Sequence, residues 1–295
     1  MLSCRIPPSE VVAGQACCRL AECHRAPARP RRYPSDTTEA QWATIDPLLP
    51  DPAWLTGKGG RREVHCRRAI VDAIFYLVDN GIKWRALPPD FPPWSTVYNY
   101  FAAWEAAGIT QQLLDELRDR ARLRAGRHAA PSAGIIDSAS VKAAETVSAH
   151  TRGFDAGKKI NGRKRHIAVD TLGLMVCVLV TSANVQDRTA ARHLLARLRW
   201  LCPTIQHLWA DAGYTGTLLD WARHLFGITI DIVAKLAGQT TFVVLPRRWV
   251  VERTLAWINQ HRRCVRDYER LPHHHEAMVR WAMIRLTSKR LIKPD

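Results

Sequence analysis

Three acidic residues stand in sequence contexts that suit metal-dependent chemistry. Asp137 follows two isoleucines in a strand-like segment, where an unpaired carboxylate would be costly to bury. Asp211 follows the apolar run HLWA and precedes an Ala-Gly pair, so we expect it where a strand ends and the backbone turns. Catalytic groups of open α/β sheets commonly lie at such strand ends.

The third acid, Glu252, lies in a basic segment, residues 246–270, with the sequence PRRWVVERTLAWINQHRRCVRDYER. A helical period places Val251, Leu255 and Ile258 on one stripe, which predicts one amphipathic helix. Arg248 falls beside Glu252 on the neighbouring stripe. The segment holds seven arginines and three acids, and this excess of like charge indicates a polyanionic partner. A solvated charged face on a surface helix is the alternative.

Carboxylates that converge without a set of Cys and His ligands favour hard divalent cations, Mg²⁺ or Mn²⁺. Two such ions about 3.5–4 Å apart can activate an attacking oxygen and stabilise the leaving oxygen of a phosphodiester. The 74 residues from Asp137 to Asp211 and the 41 from there to Glu252 leave room for the elements that must bring the acids together. We therefore predict that these three residues are catalytic and bind two metal ions.

Other acids have simpler interpretations. Asp170 precedes a Thr-Leu-Gly turn and is predicted to be a turn residue. Asp187 is predicted to cap a helix, and the alternative is that it leans toward the site. Asp155 lies in a basic loop and is expected to pair locally. Glu269 and Glu276 compete with Glu252 for the place of the third acid, but neither shares a helical face with Arg248.

The composition favours a nucleic acid as the partner. The 295 residues carry a formal net charge of +16, and the basic residues are clustered. An anionic membrane surface is the weaker alternative, because no apolar run is long enough to cross a bilayer. We find no signal peptide either, so the expected location is the cytoplasm. The eight cysteines are scattered and lack paired CxxC units, which predicts reduced thiols and no zinc site.

The chain divides into three predicted parts. Residues 1–32 are predicted to be a disordered basic extension, and residues 33–128 a helical region similar to a helix-turn-helix DNA-binding unit, with an arginine-rich linker at its end. A helical subdomain that only packs is the alternative. From residue 129 onward, three strands precede alternating helices and strands, an order that predicts a mixed α/β sheet.

Basic residues in three places are predicted to contact DNA. The segment 152–165 is predicted to be a loop whose glycines allow a close approach to phosphates. The predicted contacts are Arg61, Arg62, Arg67 and Arg68 in the helical region, Lys158, Lys159, Arg163, Lys164 and Arg165 in the loop, and Arg248, Arg262 and Arg263 in the basic segment.

Several motifs, taken in order, resemble the DDE transposases of the insertion-sequence-5 type. They are IIDSASVKA, RGFDAGKKINGRKRHIAVDTLGL, SANVQDR, WADAGYTG and VVLPRRWVVERTLAWINQHRRCVRDYER, and upstream YPSDTTEAQWATIDPLLP and DAIFYLVDNGIKWRALPPDFPPWSTVYNYF. The resemblance covers roughly residues 33–290. It implies a ribonuclease-H-like catalytic domain over residues 129–295, two divalent metal ions, and Asp137, Asp211 and Glu252 as the catalytic triad.

One part of the sequence departs from the family pattern. Related transposases often carry Tyr, Arg, Glu and Lys at fixed spacing around the third acid. Arg248 fits this pattern, but Leu245 stands at the Tyr position and Asn259 at the Lys position. Arg262 or Arg263 could substitute for the missing cation.

The resemblance implies that the protein binds the ends of an insertion sequence and performs metal-dependent DNA cleavage and strand transfer. Its partners would be double-stranded DNA, as terminal inverted repeats and target, and further copies of itself in a dimer or larger assembly. Two alternatives stay open. One is a nuclease of the same fold that never joins DNA, and the other is an inactive transposase remnant that only binds DNA.

Overall fold

The helical first part of the chain has four α-helices within the residues described by the computed structural model, which are 29–57, 59, 62–233 and 247–292. The helices are α1 (Glu39–Ile45), α2 (Arg67–Asn80), α3 (Trp94–Ala106) and α4 (Ile109–Arg124). The Thr38 hydroxyl caps α1 by accepting from the Gln41 N–H. Gly81, at φ +69°, ends α2 in the left-handed conformation that favours glycine. Most of the predicted basic extension and its Cys-His cluster lie outside the described residues.

The predicted arginine-rich linker at residues 118–128 is wrong, because α4 continues through most of it. Arg118 is buried and pairs with Asp115 and Asp119 on its own helix. Arg122 is also buried and pairs with Asp170, which has no exposed surface. These carboxylates neutralise arginines that, in the sequence alone, indicate an exposed connection.

One mixed sheet forms the centre of the second part of the chain. Its strands are β1 (Ala133–Lys142), β2 (Gly153–Asp155), β3 (Ile160–Asp170), β4 (Met175–Ser182), β5 (His207–Ala210) and β6 (Thr229–Ile232). The order is β2-β3-β1-β5-β6, and β4 also pairs with β3. The pairs of β3 with β1, β2 and β4 are antiparallel, whereas β5 is parallel to both β1 and β6. The predicted α/β class is confirmed, but the predicted loop 152–165 is largely strand. The apolar run TFVVL, residues 241–245, lies outside the described residues.

Helices cover both faces of the sheet because alternate residues of its strands point to opposite sides. Ile136 contributes to a core with α5 (Asp187–Leu201) and α6 (Leu218–Phe226). Ile135, its neighbour, contributes to a second core with α7 (Arg248–Asn259), α9 (Pro272–Ile292) and the N-terminal helices. Cys66, Cys177, Cys202 and Cys264 are buried free thiols, as predicted.

The N-terminal helices share their core with α9. The Phe75 ring meets the Trp281 indole edge-on at 5.9 Å, and the Gln41 amide donates to the Ser288 hydroxyl at 2.8 Å. Because α9 packs against both the N-terminal helices and the sheet, it is buried over most of its circumference. The boundary predicted near residue 128 therefore separates two parts of the sequence that share one core.

The basic segment 246–270 does not form the single helix that its periodicity predicts. Helix α7 ends at Asn259, and a short helix, α8 (Arg262–Val265), follows after His261 adopts an extended conformation. The His261 ring lies 3.1 Å from the Asp79 carboxylate at the end of α2. A contact between distant parts of the chain thus accompanies the break in a helical pattern. Val251 and Ile258 are buried, in agreement with the predicted apolar stripe.

Candidate active site

The parallel pairing of β1 with β5 brings Asp137, inside β1, close to Asp211, just after the end of β5. Ile135 pairs with Trp209, and the two aspartates lie two residues further along their respective chains. The Asp137 Oδ1 atom accepts a 2.7 Å hydrogen bond from the N–H of Ser138. The Asp211 Oδ1 atom accepts from the N–H of Gly213 at 2.9 Å and so caps the short turn after β5.

Asp137 lies in surroundings that disfavour its charge. Burial raises the pKa of its carboxyl to about 6, and the like charge of Asp211 adds to this effect. The Ser138 N–H and the charges of Arg248 and Lys158 oppose the shift. Two acids that repel each other in a partly buried place are suited to holding a cation, which removes the repulsion.

The cost of charging Asp137 predicts a stabilising substitution, Asp137→Asn. The folded-state pKa of Asp137 lies above its ordinary value, so the wild type loses stability as the pH rises from about 4 through 6, whereas asparagine does not ionise. In metal-free buffer, the free energy of unfolding of the variant relative to that of the wild type should therefore increase by roughly 2–3 kcal/mol between pH 4 and pH 7. Urea unfolding at each pH measures this. A difference that stays constant across this range would contradict the prediction, and Asp220→Asn, which alters an exposed acid, is the control.

Glu252 lies on α7, where an arginine engages its carboxylate. Its half-exposed carboxylate pairs with the Arg248 guanidinium at 3.3 Å, one helical turn earlier. The Arg248 charge also acts on Asp137. Among the residues that the structure describes, no three Asp, Glu, His or Cys side chains are grouped closely enough to hold a metal ion. The assignment of Glu252 as the third ligand stays a prediction, and it requires the carboxylate to leave Arg248.

The other acids considered from the sequence have structural partners. Glu269 is buried and accepts from Arg263, and Glu276 is buried and pairs with Arg197 and Arg280. The turn assignment of Asp170 is confirmed, because its Oδ1 atom accepts from two N–H groups of the β3–β4 turn. Buried pairs of this kind hold segments together and leave these carboxylates unavailable to a substrate.

Asp187 was predicted to be a helix cap, but it has a different position. The N-cap of α5 is Gln186, and the Asp187 carboxylate instead accepts from the Ser138 hydroxyl at 2.7 Å. The Lys164 ammonium lies 3.3 Å from the same oxygen. A Cβ on Gly213 would lie 3.0 Å from an Asp211 oxygen and 3.6 Å from an Asp187 oxygen. Asp187 therefore connects β1, β3 and the turn after β5.

Two buried rings complete this polar cluster. Burial lowers the pKa of His166 to about 4, although the negative charge of Asp187 acts to raise it. The imidazole is therefore neutral at neutral pH. Burial also raises the pKa of Tyr214 well above its usual value, and the charges of Asp137, Asp187 and Asp211 add to the effect. The three carboxylates thus act on one phenol, which shows how close together they lie. The sequence signal for Asp187 was only its place at the start of a helix.

We expect Asp187→Ala to weaken DNA cleavage by about 10- to 100-fold, the usual cost of removing a group that orients metal ligands. Ser138, next to Asp137, would lose its hydrogen-bond acceptor, and Lys164 would be left to compete for the aspartates. Mn²⁺ binding, measured by electron paramagnetic resonance, should weaken in the same variant. Glu145→Gln, at an exposed acid, is the control. Unchanged Mn²⁺ affinity would show that Asp187 has only a structural role.

The residues predicted to contact DNA fall into two groups. Arg62, Lys158, Lys159 and Arg262 are exposed, and Arg68 and Arg248 are partly exposed. Lys158 is close enough to influence Asp137, which places the turn between β2 and β3 beside the aspartates. Arg61 lies outside the described residues. These exposed cations are available to phosphate oxygens.

The second group lies inside the protein and is bound there. Arg163 pairs with Asp267, Arg263 with Glu269, and Arg67 with Glu63. Lys164 is held by Asp187 and the Val185 carbonyl, and Arg165 donates to Cys264 and Asn259 carbonyl oxygens. The burial and pairing of these groups disfavour DNA contact by them, and their predicted role stays a prediction. The Arg165–Asn259 bond also shows what asparagine does at the position where a lysine was expected.

An open cleft lies next to the aspartates. It has a volume of about 500 Å³ and is bordered by Asp155, Lys164, Asp187 and Gly213, with the exposed ring of Phe154 at its rim. Among the charged groups on its walls, Asp187 accepts from the hydroxyl of Ser138, the neighbour of Asp137. None of the helices in the described parts of the chain is long and apolar enough to cross a membrane.

Comparison with known proteins agrees with this arrangement. Residues 128–286, more than half of the chain, match the transposase DDE domain, and residues 37–114 match a putative transposase of IS4/5 family. The chain is 33% identical over 104 residues to an uncharacterized 16.2 kDa protein of insertion element IS402 from Burkholderia cepacia, covering 35% of this chain and 69% of that protein.

A second relative from the same organism is described as a putative transposase for insertion sequence element IS402. The identity is 31% over 130 residues, which covers 40% of this chain and 59% of the relative. The mixed sheet with helices on both faces is the ribonuclease-H-like arrangement that the resemblance implied, and the DDE-domain match confirms it. By its fold, the aspartates of its neighbouring strands β1 and β5 and these matches, the chain belongs to the DDE transposase family of the IS4/5 type.

Proposed function

We propose that the protein cleaves the ends of an insertion sequence and joins them to target DNA in a metal-dependent reaction. The observation that carries this proposal is that Asp137, within β1, and Asp211, just after β5, lie near each other, where burial and like charge create a need for a cation. Membership of the DDE transposase family supports the same chemistry. The family also supports DNA as the substrate.

Asp137, Asp211 and Glu252 would hold the divalent ions, Mg²⁺ or Mn²⁺, through carboxylate oxygens. Two bound ions supply activation of an attacking oxygen and stabilisation of the leaving oxygen of a phosphodiester. Arg248 would exchange its ion pair with Glu252 for a DNA phosphate, since both partners are partly exposed. No side chain needs to act as a nucleophile, because a water or a DNA 3′-hydroxyl supplies the attacking oxygen.

The exposed cations define where DNA would lie. Lys158 and Lys159 extend from the turn between β2 and β3, on the same side as Asp137. Arg262 begins α8, and Arg62 lies in the segment before α2. Both ends of a mobile element must be handled together, so we propose that a dimer or larger assembly forms on the DNA.

The test is a reaction with purified protein and a supercoiled plasmid that carries the DNA flanking this reading frame on both sides. We expect cleavage at the element ends and joined products in Mg²⁺, and neither in EDTA. Cleavage without joined products would identify a nuclease that does not transfer strands. DNA binding without metal-dependent cleavage would identify a remnant that only binds DNA and would overturn the proposal.

A further inference from the structure

A second cavity opens between the first turns of α5 and α6. It has a volume of about 360 Å³ and is lined by Arg188, Thr189, Arg192, Thr217 and Leu218. The cavity lies close in sequence to the candidate active site. Arg188 immediately follows Asp187, and Thr217, at the N-terminal end of α6, lies six residues after Asp211. None of its lining residues belongs to the predicted DNA contacts.

Two arginines give this α5–α6 cavity a positive charge. Arg188 and Arg192 are exposed and lie one helical turn apart on the same side of α5. Neither forms an ion pair with any carboxylate in the described parts of the chain. Arg188 donates from Nε to the Gln186 side chain at 3.0 Å, and the Arg192 guanidinium lies 5.5 Å from the centre of the Trp221 ring. These neutral contacts orient both guanidinium groups without neutralising them.

The helix ends that meet at the α5–α6 cavity add to this charge. Neither α5 nor α6 has a side-chain cap at its N-terminus, so the positive end of each helix dipole is left to the cavity and solvent. Each helix has one acid in its first turn, Asp187 in α5 and Asp220 in α6, which offsets part of the dipole, so most of the positive charge of the cavity comes from the two arginines. Asp187 is engaged on the sheet side by Ser138 and Lys164, and Asp220 is exposed and is not part of the cavity wall.

We propose that the α5–α6 cavity binds a backbone phosphate of the DNA substrate. Two guanidinium groups and two threonine hydroxyls supply the donors that phosphate oxygens accept, and helix N-termini favour the same anion. Helices α5 and α6 cover one face of the sheet, whereas α7, which carries Arg248, packs on the other. The DNA strand would therefore be held on both sides of Asp137 and Asp211. This inference rests on DNA being the substrate, as in the proposed function.

The test measures how DNA affinity depends on salt, because each phosphate contact that is lost reduces the slope of log K against log salt by about 0.9. The full chain is titrated with a fluorescent random-sequence duplex of about 30 base pairs, without divalent metal, between roughly 50 and 300 mM KCl. We expect the double substitution Arg188→Gln/Arg192→Gln to reduce the slope by about 0.9 to 1.8. The matched control is Arg199→Gln/Arg223→Gln, which removes the same charge from the same helices outside the cavity.

Each possible result decides the inference. An unchanged slope in the double variant, or an equal loss in the control, overturns it, and so does a wild type that does not bind the duplex. Inorganic phosphate is tested separately by thermal unfolding at constant ionic strength. If phosphate stabilises the wild type and not the variant while the DNA slope is unchanged, the cavity binds free phosphate and the DNA assignment is wrong. Normal cleavage by Asp211→Asn would overturn the proposed function but would leave a measured slope loss intact.

Discussion

Asp211→Asn should reduce Mg²⁺-dependent DNA cleavage by about a thousand-fold or more. The loss follows because a metal-assisted step depends on several kcal/mol of charge stabilisation, and each 1.36 kcal/mol changes a rate about tenfold. Asparagine keeps an oxygen that can accept from the Gly213 N–H, so the turn after β5 should persist. The measurement is the single-turnover rate of cleavage with saturating protein. Asp137→Ala should have an effect of the same size.

A DNA-binding measurement distinguishes the loss of a metal ligand from the loss of the folded structure. The Asp211→Asn protein should bind duplex DNA in EDTA at least as tightly as the wild type, because the substitution removes a negative charge near the phosphates. Asp220→Asn removes a charge from an exposed position on α6 and should leave the cleavage rate within about twofold. If Asp211→Asn cleaves as fast as the wild type, the proposed mechanism is wrong.

Asp267→Ala should destabilise the protein by about 3–5 kcal/mol, the range expected when one partner of a buried ion pair is removed. Asp267 and Arg163 have no exposed side-chain surface, and their charged groups are 2.9 Å apart. Asp267 also accepts from His275 and from the Glu269 N–H, so its loss leaves several buried donors without an acceptor. Urea unfolding at neutral pH measures the change.

An exposed ion pair provides the comparison for this prediction. Glu39 pairs with Arg68 at 2.6 Å, but the Glu39 side chain is 83% exposed, so Glu39→Ala should cost no more than about 1 kcal/mol. The two substitutions each remove one carboxylate charge, and they differ mainly in burial. Equal destabilisation by both would show that burial does not set the strength of the Arg163–Asp267 pair.

Local patterns were enough to predict the elements around Asp137 and Asp211. The two isoleucines before Asp137 and the HLWA run before Asp211 predicted a strand that contains Asp137 and a strand that ends before Asp211, and the parallel pairing of β1 with β5 brings the two acids together. Short strands with a buried face carry such a signal in their own residues. The position of Glu252 on a helix with a buried apolar stripe could be predicted from the sequence for the same reason.

The basic residues were harder to interpret because charge in a sequence does not show whether it is buried. Residues 163 to 165 resemble a DNA-binding loop, but they form part of β3, which is paired on both sides. The carboxylate that accepts from Arg163 lies 104 positions away in the chain. Burial becomes possible only when such a distant acid supplies the compensating charge.

The sequence by itself determined the family resemblance, the α/β class and the strand segments that carry Asp137 and precede Asp211, because these depend on short-range order and residue type. The tertiary structure decided which cations face solvent, where the basic segment 246–270 breaks, and that Asp187 contacts Ser138 beside Asp137. Each of these depends on contacts between residues far apart in the chain. Hydrophobic periodicity does not encode the partner of a charged side chain, so only the folded chain identifies it.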